Sequence, residues 1–128
     1  MSKKKILIID DEVAFCKLVK RNLELIGDFD VAITTDGEGG FSSAKKLKPD
    51  LILLDIMMPI MDGFKVLEKL KSDMNTIAVP VIMLTAKGDE ASKVKAAQLY
   101  DEEYITKPIE APELKTKIEE VLKRIEVK

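Results

Sequence analysis

The chain has 128 residues, 46% of them hydrophobic and 34% charged, with 21 Lys and Arg against 23 Asp and Glu for a net charge of −2. This fits one folded domain with a single core and excludes a disordered chain. No apolar run approaches the roughly 20 residues that span a bilayer, and no basic face marks a nucleic-acid binder. There is no histidine, which excludes His-based acid–base chemistry, His metal sites and a role as phosphohistidine donor. The single Cys16 excludes an internal disulfide. The start, Met1-Ser2-Lys3-Lys4-Lys5, leads into only four apolar residues, so it does not read as a signal peptide, and a cytoplasmic location is expected.

In chain order, Ile6-Leu7-Ile8-Ile9 predicts a buried strand over 4–9, closed by Asp10 and Asp11. A helix follows over 12–26, with Phe15, Leu18, Val19, Leu23 and Ile26 at helical spacing and a stop at Gly27. Cys16 in this pattern reads as a small packed residue. The next strand covers 29–34. The next helix, 37–47, contains Gly39 and Gly40. Each costs about 1 kcal/mol relative to Ala, so the helix is expected to be marginal and easily frayed. Leu51-Ile52-Leu53-Leu54 predicts a strand over 51–54, closed by Asp55. Pro59 blocks immediate helix formation, and Asp62-Gly63 opens a helix over 63–71. A strand over 80–84 is closed by Thr85, and a helix is predicted over 89–99. The strand over 102–105 is polar at its start, as an edge strand would be, and leads to Lys107. A helix over 111–126 carries Leu114, Ile118, Val121, Leu122 and Ile125 on one face. Regular βα alternation predicts a doubly wound α/β domain: a parallel sheet with right-handed crossovers and helices on both faces. No repeat, linker or low-complexity tract interrupts residues 1–128, and no output domain is expected among them.

In such sheets chemistry gathers at the carboxyl ends of the strands. Asp10, Asp11, Asp55, Thr85 and Lys107 should therefore converge, giving three carboxylates, a hydroxyl and an ammonium. Each has a plain alternative: a helix cap for the aspartates, a strand-end hydroxyl for Thr85, a surface lysine for Lys107. Asp55 has no helix close enough to cap, and the four strand ends carry complementary groups. Crowded carboxylates repel and raise one another's pKa, and a hard cation such as Mg²⁺, bound by oxygen, relieves this. Zinc is disfavoured without His or several Cys. An aspartate beside Mg²⁺ is a competent nucleophile towards a phosphorylated donor. Lys107, Thr85 and backbone N–H groups would meet the charge that grows on the phosphoryl oxygens.

Asp10-Asp11-Glu12, then Asp55-Ile56-Met57-Met58-Pro59-Ile60-Met61-Asp62-Gly63, then Leu84-Thr85-Ala86, then Tyr104-Ile105-Thr106-Lys107-Pro108, closely resemble the receiver domain of two-component response regulators. The resemblance spans essentially the whole chain, which is similar to single-domain chemotaxis-type regulators. It implies a (βα)₅ flavodoxin-like three-layer sandwich with strand order 2-1-3-4-5. It implies that Asp55 accepts a phosphoryl group from a histidine kinase or histidine phosphotransfer protein. Mg²⁺, or Mn²⁺ in its place, would be held by Asp10, Asp11, Asp55 and the Met57 carbonyl. Lys107 would pair with the phosphoryl group, and Pro59, Gly63, Ala86 and Pro108 would shape the loops, with Lys107-Pro108 cis. Thr85 and Tyr104 would form a switch acting on the face of the fourth helix, fifth strand and fifth helix. Output would run through a downstream protein, with no direct nucleic-acid or membrane contact, from a monomer or a phosphorylation-dependent dimer. Such a domain is not an enzyme beyond its own phosphorylation and dephosphorylation.

Tyr100-Asp101 replaces the Gly-Ala usual in the family before the switch aromatic, which predicts an altered signalling face. Met57 is poorly suited to hold an attacking water, and Lys87 could shield the phosphoryl group, so slow self-dephosphorylation is expected. A haloacid-dehalogenase-type aspartyl phosphohydrolase would want an Asp where Met57 stands. A flavin or nucleotide module would want a Gly- or Ser/Thr-rich loop after the first strand, and a degenerate docking receiver would lack the intact Asp55, Thr85 and Lys107. A receiver excised from a longer DNA-binding or enzymatic regulator remains the main alternative. The stand-alone form is preferred on the native-looking start and the lack of a trailing linker.

Overall fold

A computed structural model of the chain describes residues 3–86, 91 and 102–126. Five strands, β1 (Lys4–Ile9), β2 (Phe29–Thr34), β3 (Leu51–Asp55), β4 (Val81–Ala86) and β5 (Glu103–Lys107), form one parallel sheet in the order β2-β1-β3-β4-β5. The order is the expected one, and it places β5 at an edge, as its polar start foretold. Helices α1 (Val13–Ile26), α2 (Gly37–Leu47), α3 (Gly63–Lys71) and the last helix (Ala111–Glu126) are described. Of the helix expected over 89–99 only residue 91 is described, and Lys87, Tyr100 and Asp101 lie outside the described residues.

Side-chain alternation along the strands splits the apolar residues between two cores. Ile6, Ile8, Leu51, Leu53, Ile82 and Leu84 pack against Cys16, Val19 and Leu23 of α1 and Leu114, Ile118 and Val121 of the last helix. Leu7, Ile9, Ile52, Leu54, Val81 and Met83 pack against Ala44 of α2 and Val66, Leu67 and Leu70 of α3. The result is three layers, with the sheet in the middle. Continuous apolar runs therefore read correctly as strands buried on both faces.

Three details differ from the sequence expectation. The last strands run further, so that Asp55, Thr85, Ala86, Thr106 and Lys107 are themselves in the sheet, because pairing continues to Asp55↔Leu84 and Ala86↔Lys107. The buried stripe of α1 is Cys16, Val19 and Leu23, while Leu18 and Ile26 are 59% and 40% exposed. Residues 16, 19 and 23 keep the i, i+3, i+7 spacing on one face, and Leu18 falls outside it. Ile125 likewise faces out at the end of the last helix.

The glycines of α2 find compensation. The Asp36 carboxylate accepts from Gly39 N–H at 2.7 Å and caps the helix. Gly40 is buried, and a Cβ there would lie 2.7 Å from the Ile9 side chain. Its missing side chain is what lets α2 approach β1.

Candidate functional site

Register builds the site. Ile9 pairs with Leu54, so Asp10 and Asp55 emerge side by side at the carboxyl edge. Asp10 still belongs to the ladder, its N–H donating to Thr34 O at 3.1 Å. On the other side of β3, Asp55 pairs with Leu84, and Lys107 sits opposite Ala86. Asp10 is fully buried, Asp55 nearly so and Asp11 exposed, and one carboxylate oxygen from each lies within 4.8 Å of the others. Lys107 Nζ reaches Asp10 Oδ2 at 2.8 Å and Asp55 Oδ1 at 3.8 Å.

The charges are unevenly compensated. Burial above all, and then Asp10, pushes the Asp55 carboxyl up to about 7, although Lys107 and the Met57 N–H pull it down. Burial works against the Lys107 ammonium, yet hydrogen bonds to Asp10 and Glu12 and the charges of Asp10 and Asp55 raise its pKa on balance. With all three acids ionised, the site holds more negative charge than Lys107 offsets. Its donors are all oxygens in a confined space. That donor set fits a hard divalent cation held by oxygen ligands.

The loop after Asp55 is shaped around it. Met57 N–H points to Asp55 Oδ1 at 3.4 Å, and the Met57 side chain is exposed. Gly63 N–H donates to Ile56 O at 2.8 Å, and a Cβ on Gly63 would collide with the Asp55 carbonyl oxygen and lie 2.7 Å from Ile56 Cα. Asp62 caps α3 by accepting from Lys65 N–H at 3.0 Å, leaving Asp55 free of that task. Between them, Pro59 is exposed, and Ile60 adopts φ 68° with its side chain fully in solvent. The Lys107-Pro108 bond is cis.

Thr85 is brought to the same edge but is fully buried, and its hydroxyl lies 3.4 Å from both Ile105 O and Thr106 Oγ1 of β5. In this arrangement it is turned along the sheet towards β5. Tyr104, one strand position before Ile105, is 42% exposed. Ala86 is exposed beside Lys107. Cys16 is packed as expected. Its thiol donates to Asp10 O at 3.2 Å, and burial followed by the Asp10 charge pushes it up to about 12, so it is inert.

Two residues at the site were not foreseen in their roles. Glu12 Oε1 lies 2.7 Å from Lys107 Nζ, and the Phe15 ring centroid lies 4.4 Å from the same nitrogen. In the sequence Glu12 stands only as part of the Asp10-Asp11-Glu12 motif, and Phe15 only as part of an apolar stripe. The one available signal was their position in the first turn after Asp10-Asp11.

Comparison with known proteins agrees with this geometry. The family model described as response regulator receiver domain matches residues 6–119. The DNA-binding dual master transcriptional regulator RpaA of Synechocystis is 42% identical over 94% of this chain and 49% of its own length. PhoP of Bacillus subtilis, an alkaline phosphatase synthesis transcriptional regulatory protein, is 40% identical over 97% of this chain and 50% of its own. The chain thus spans about half the length of these curated relatives. A CheY-like receiver domain protein from Methanospirillum hungatei superposes with a TM-score of 0.87 at 31% identity, covering 98% of each chain. The receiver domain of the Pseudomonas aeruginosa sensor histidine kinase PA1611, solved with magnesium coordinated in its active-site cleft, has a TM-score of 0.80 at 25% identity, covering 96% of this chain and 97% of that one. The chain belongs to the response regulator receiver domain family.

Proposed function

We propose that Asp55 is the phosphoacceptor of this receiver, taking a phosphoryl group from a phosphohistidine on a histidine kinase or histidine phosphotransfer protein. The observation that carries this reading is the convergence of Asp10, Asp11, Asp55 and Lys107 from three strands onto one edge. An Asp55 oxygen forms the new bond to phosphorus, and the bond from phosphorus to the donor imidazole nitrogen breaks, leaving an acyl phosphate on Asp55. Mg²⁺, held by Asp10, Asp11, Asp55 and the Met57 carbonyl, would neutralise charge on the phosphoryl oxygens when bound. Lys107 supplies the fixed ammonium, and the Met57 N–H is already aimed at Asp55. Thr85 exchanges its contact with β5 for the phosphoryl group, and Tyr104 turns inward in response. The face carrying Tyr104 then presents a changed surface to a downstream protein. Apolar Met57 beside Asp55 orients no water, so the phosphorylated form decays slowly when alone.

The decisive experiment incubates the protein with acetyl phosphate and Mg²⁺ and weighs the product by intact mass spectrometry. One phosphoryl group is expected, absent in Asp55→Asn and after chelation of the metal. Equal loading of Asp55→Asn would refute the assignment. A second reading, the receiver portion of a longer DNA-binding regulator, is favoured by the half-length coverage of RpaA and PhoP. Light scattering with beryllofluoride and Mg²⁺ separates the two outputs. A monomer turning into a dimer favours the longer regulator, and a monomer in both states favours signalling by partner binding.

A further inference from the structure

Lys107 is held closer to Asp10 and Glu12 than to Asp55. Its ammonium lies 2.8 Å from Asp10 Oδ2 and 2.7 Å from Glu12 Oε1, but 3.8 Å from Asp55 Oδ1. The Phe15 ring stands under the same nitrogen, with its centroid 4.4 Å away. Two of these groups, Glu12 and Phe15, belong to the entry of α1 and lie outside the trio of clustered aspartates.

We infer that Glu12 is a positioning residue, an electrostatic latch that withholds Lys107 from Asp55 until a phosphoryl group draws the ammonium across. The inference rests on Asp55 being the phosphoacceptor and adds a residue that sets how fast it is loaded. Lys107 serves the transition state by meeting charge on the phosphoryl oxygens. Every contact it keeps with Glu12 must be given up or stretched at that moment, and the cost appears in the barrier. The contact with Phe15 survives a short displacement, because a cation is attracted to a ring face within about 6 Å of its centroid. The contact with Glu12 does not, because a charge-assisted hydrogen bond depends on a separation near 2.8 Å. Glu12 is well suited to a releasable hold. Its side chain is 63% exposed, so the ion pair is screened and weak, whereas the contact with buried Asp10 is shielded from solvent. Its side chain caps nothing in α1, so changing it removes no helix contact.

A carboxylate beside the site could also act by repelling an anionic donor, and the length of the side chain separates the two mechanisms. Glu12→Gln removes the charge. Glu12→Asp keeps the charge beside the site but shortens the reach by one methylene, which breaks the 2.7 Å contact with Lys107. The latch predicts that both variants load from acetyl phosphate with Mg²⁺ faster than the unaltered protein, by about threefold, the scale of an exposed ion pair. Initial rates of Asp55 loading, followed by intact mass at several donor concentrations, should show the gain in the maximal rate and not in the half-saturating concentration. Glu12→Asp behaving as the unaltered protein while Glu12→Gln accelerates would overturn the latch in favour of donor repulsion. Equal rates in all three proteins would overturn it as well. Failure of the unaltered protein to load at all would instead overturn the phosphoacceptor reading on which the latch rests.

Discussion

At the scale of single residues, the buried Asp55 carboxylate costs stability. A carboxyl raised to about 7 binds a proton in the folded state that it does not hold in the unfolded chain between about pH 4 and 7. Folding stability therefore falls as pH rises through that window, and the full penalty stands above it. Asp55→Asn should stabilise the metal-free protein at pH 8 by on the order of 2 kcal/mol, since Lys107 shares the site. The gain should vanish at pH 4, as thermal melting at the two pH values would show. Equal melting temperatures at pH 8 would mean that Asp55 carries no strain. Ile60 stores a second local cost. A β-branched side chain at φ 68° sits in the left-handed region, which costs about 1–2 kcal/mol, and its full exposure returns no packing. Ile60→Gly gives back part of that to chain entropy, so a net gain of about 0.5–1 kcal/mol is expected in urea unfolding. A loss would show that the side chain supports the loop.

At the scale of elements, legibility followed the sheet. The strand ends could be read because apolar runs closed by Asp10, Asp55, Thr85 and Lys107 have few other meanings in a βα alternation. Once the strands were parallel, the carboxyl edge fixed where these groups meet. Helix faces were less legible. The α1 pattern admits two adjacent stripes, and the buried one runs through Cys16, Val19 and Leu23 and leaves Leu18 outside. The Glu12 contact with Lys107 was invisible, because it depends on how α1 leaves β1. So was the backbone of Ile60, whose side chain argues against the conformation it adopts. In α2 the glycine count suggested weakness, whereas Gly40 answers a packing need. Gly40→Ala would gain about 1 kcal/mol of helix propensity but press a methyl group against buried Ile9, and overpacking costs about 1–3 kcal/mol. A net loss of about 1 kcal/mol in chemical denaturation is expected, and a gain would mean that α2 moves freely off the sheet.

At the scale of the whole molecule, a cation bound at the acidic edge would couple its binding to folding. The two cores are apolar, and among the described residues the buried charged side chains, Asp10 and Asp55, lie where β1 and β3 end. A divalent cation that binds the folded site and not the unfolded chain stabilises the protein by mass action. At Mg²⁺ ten times its dissociation constant the gain is about 1.4 kcal/mol, or roughly 5 °C in melting temperature for a domain of this size. Protons compete for the same oxygens. Below about pH 7 the cation must displace a proton from Asp55, so apparent affinity should fall towards tenfold per pH unit. A fixed, moderate Mg²⁺ concentration should therefore raise the melting temperature clearly at pH 8 and hardly at pH 5.5. Asp55→Asn, which loses the titrating carboxyl and one of the three clustered carboxylates, should respond weakly at either pH. Sodium at equal ionic strength should not reproduce the effect, because screening acts on exposed pairs and leaves a buried carboxylate pair largely untouched. A response to Mg²⁺ that is the same at both pH values, or that survives in Asp55→Asn, would place the cation elsewhere on the molecule and separate the acidic edge from metal binding.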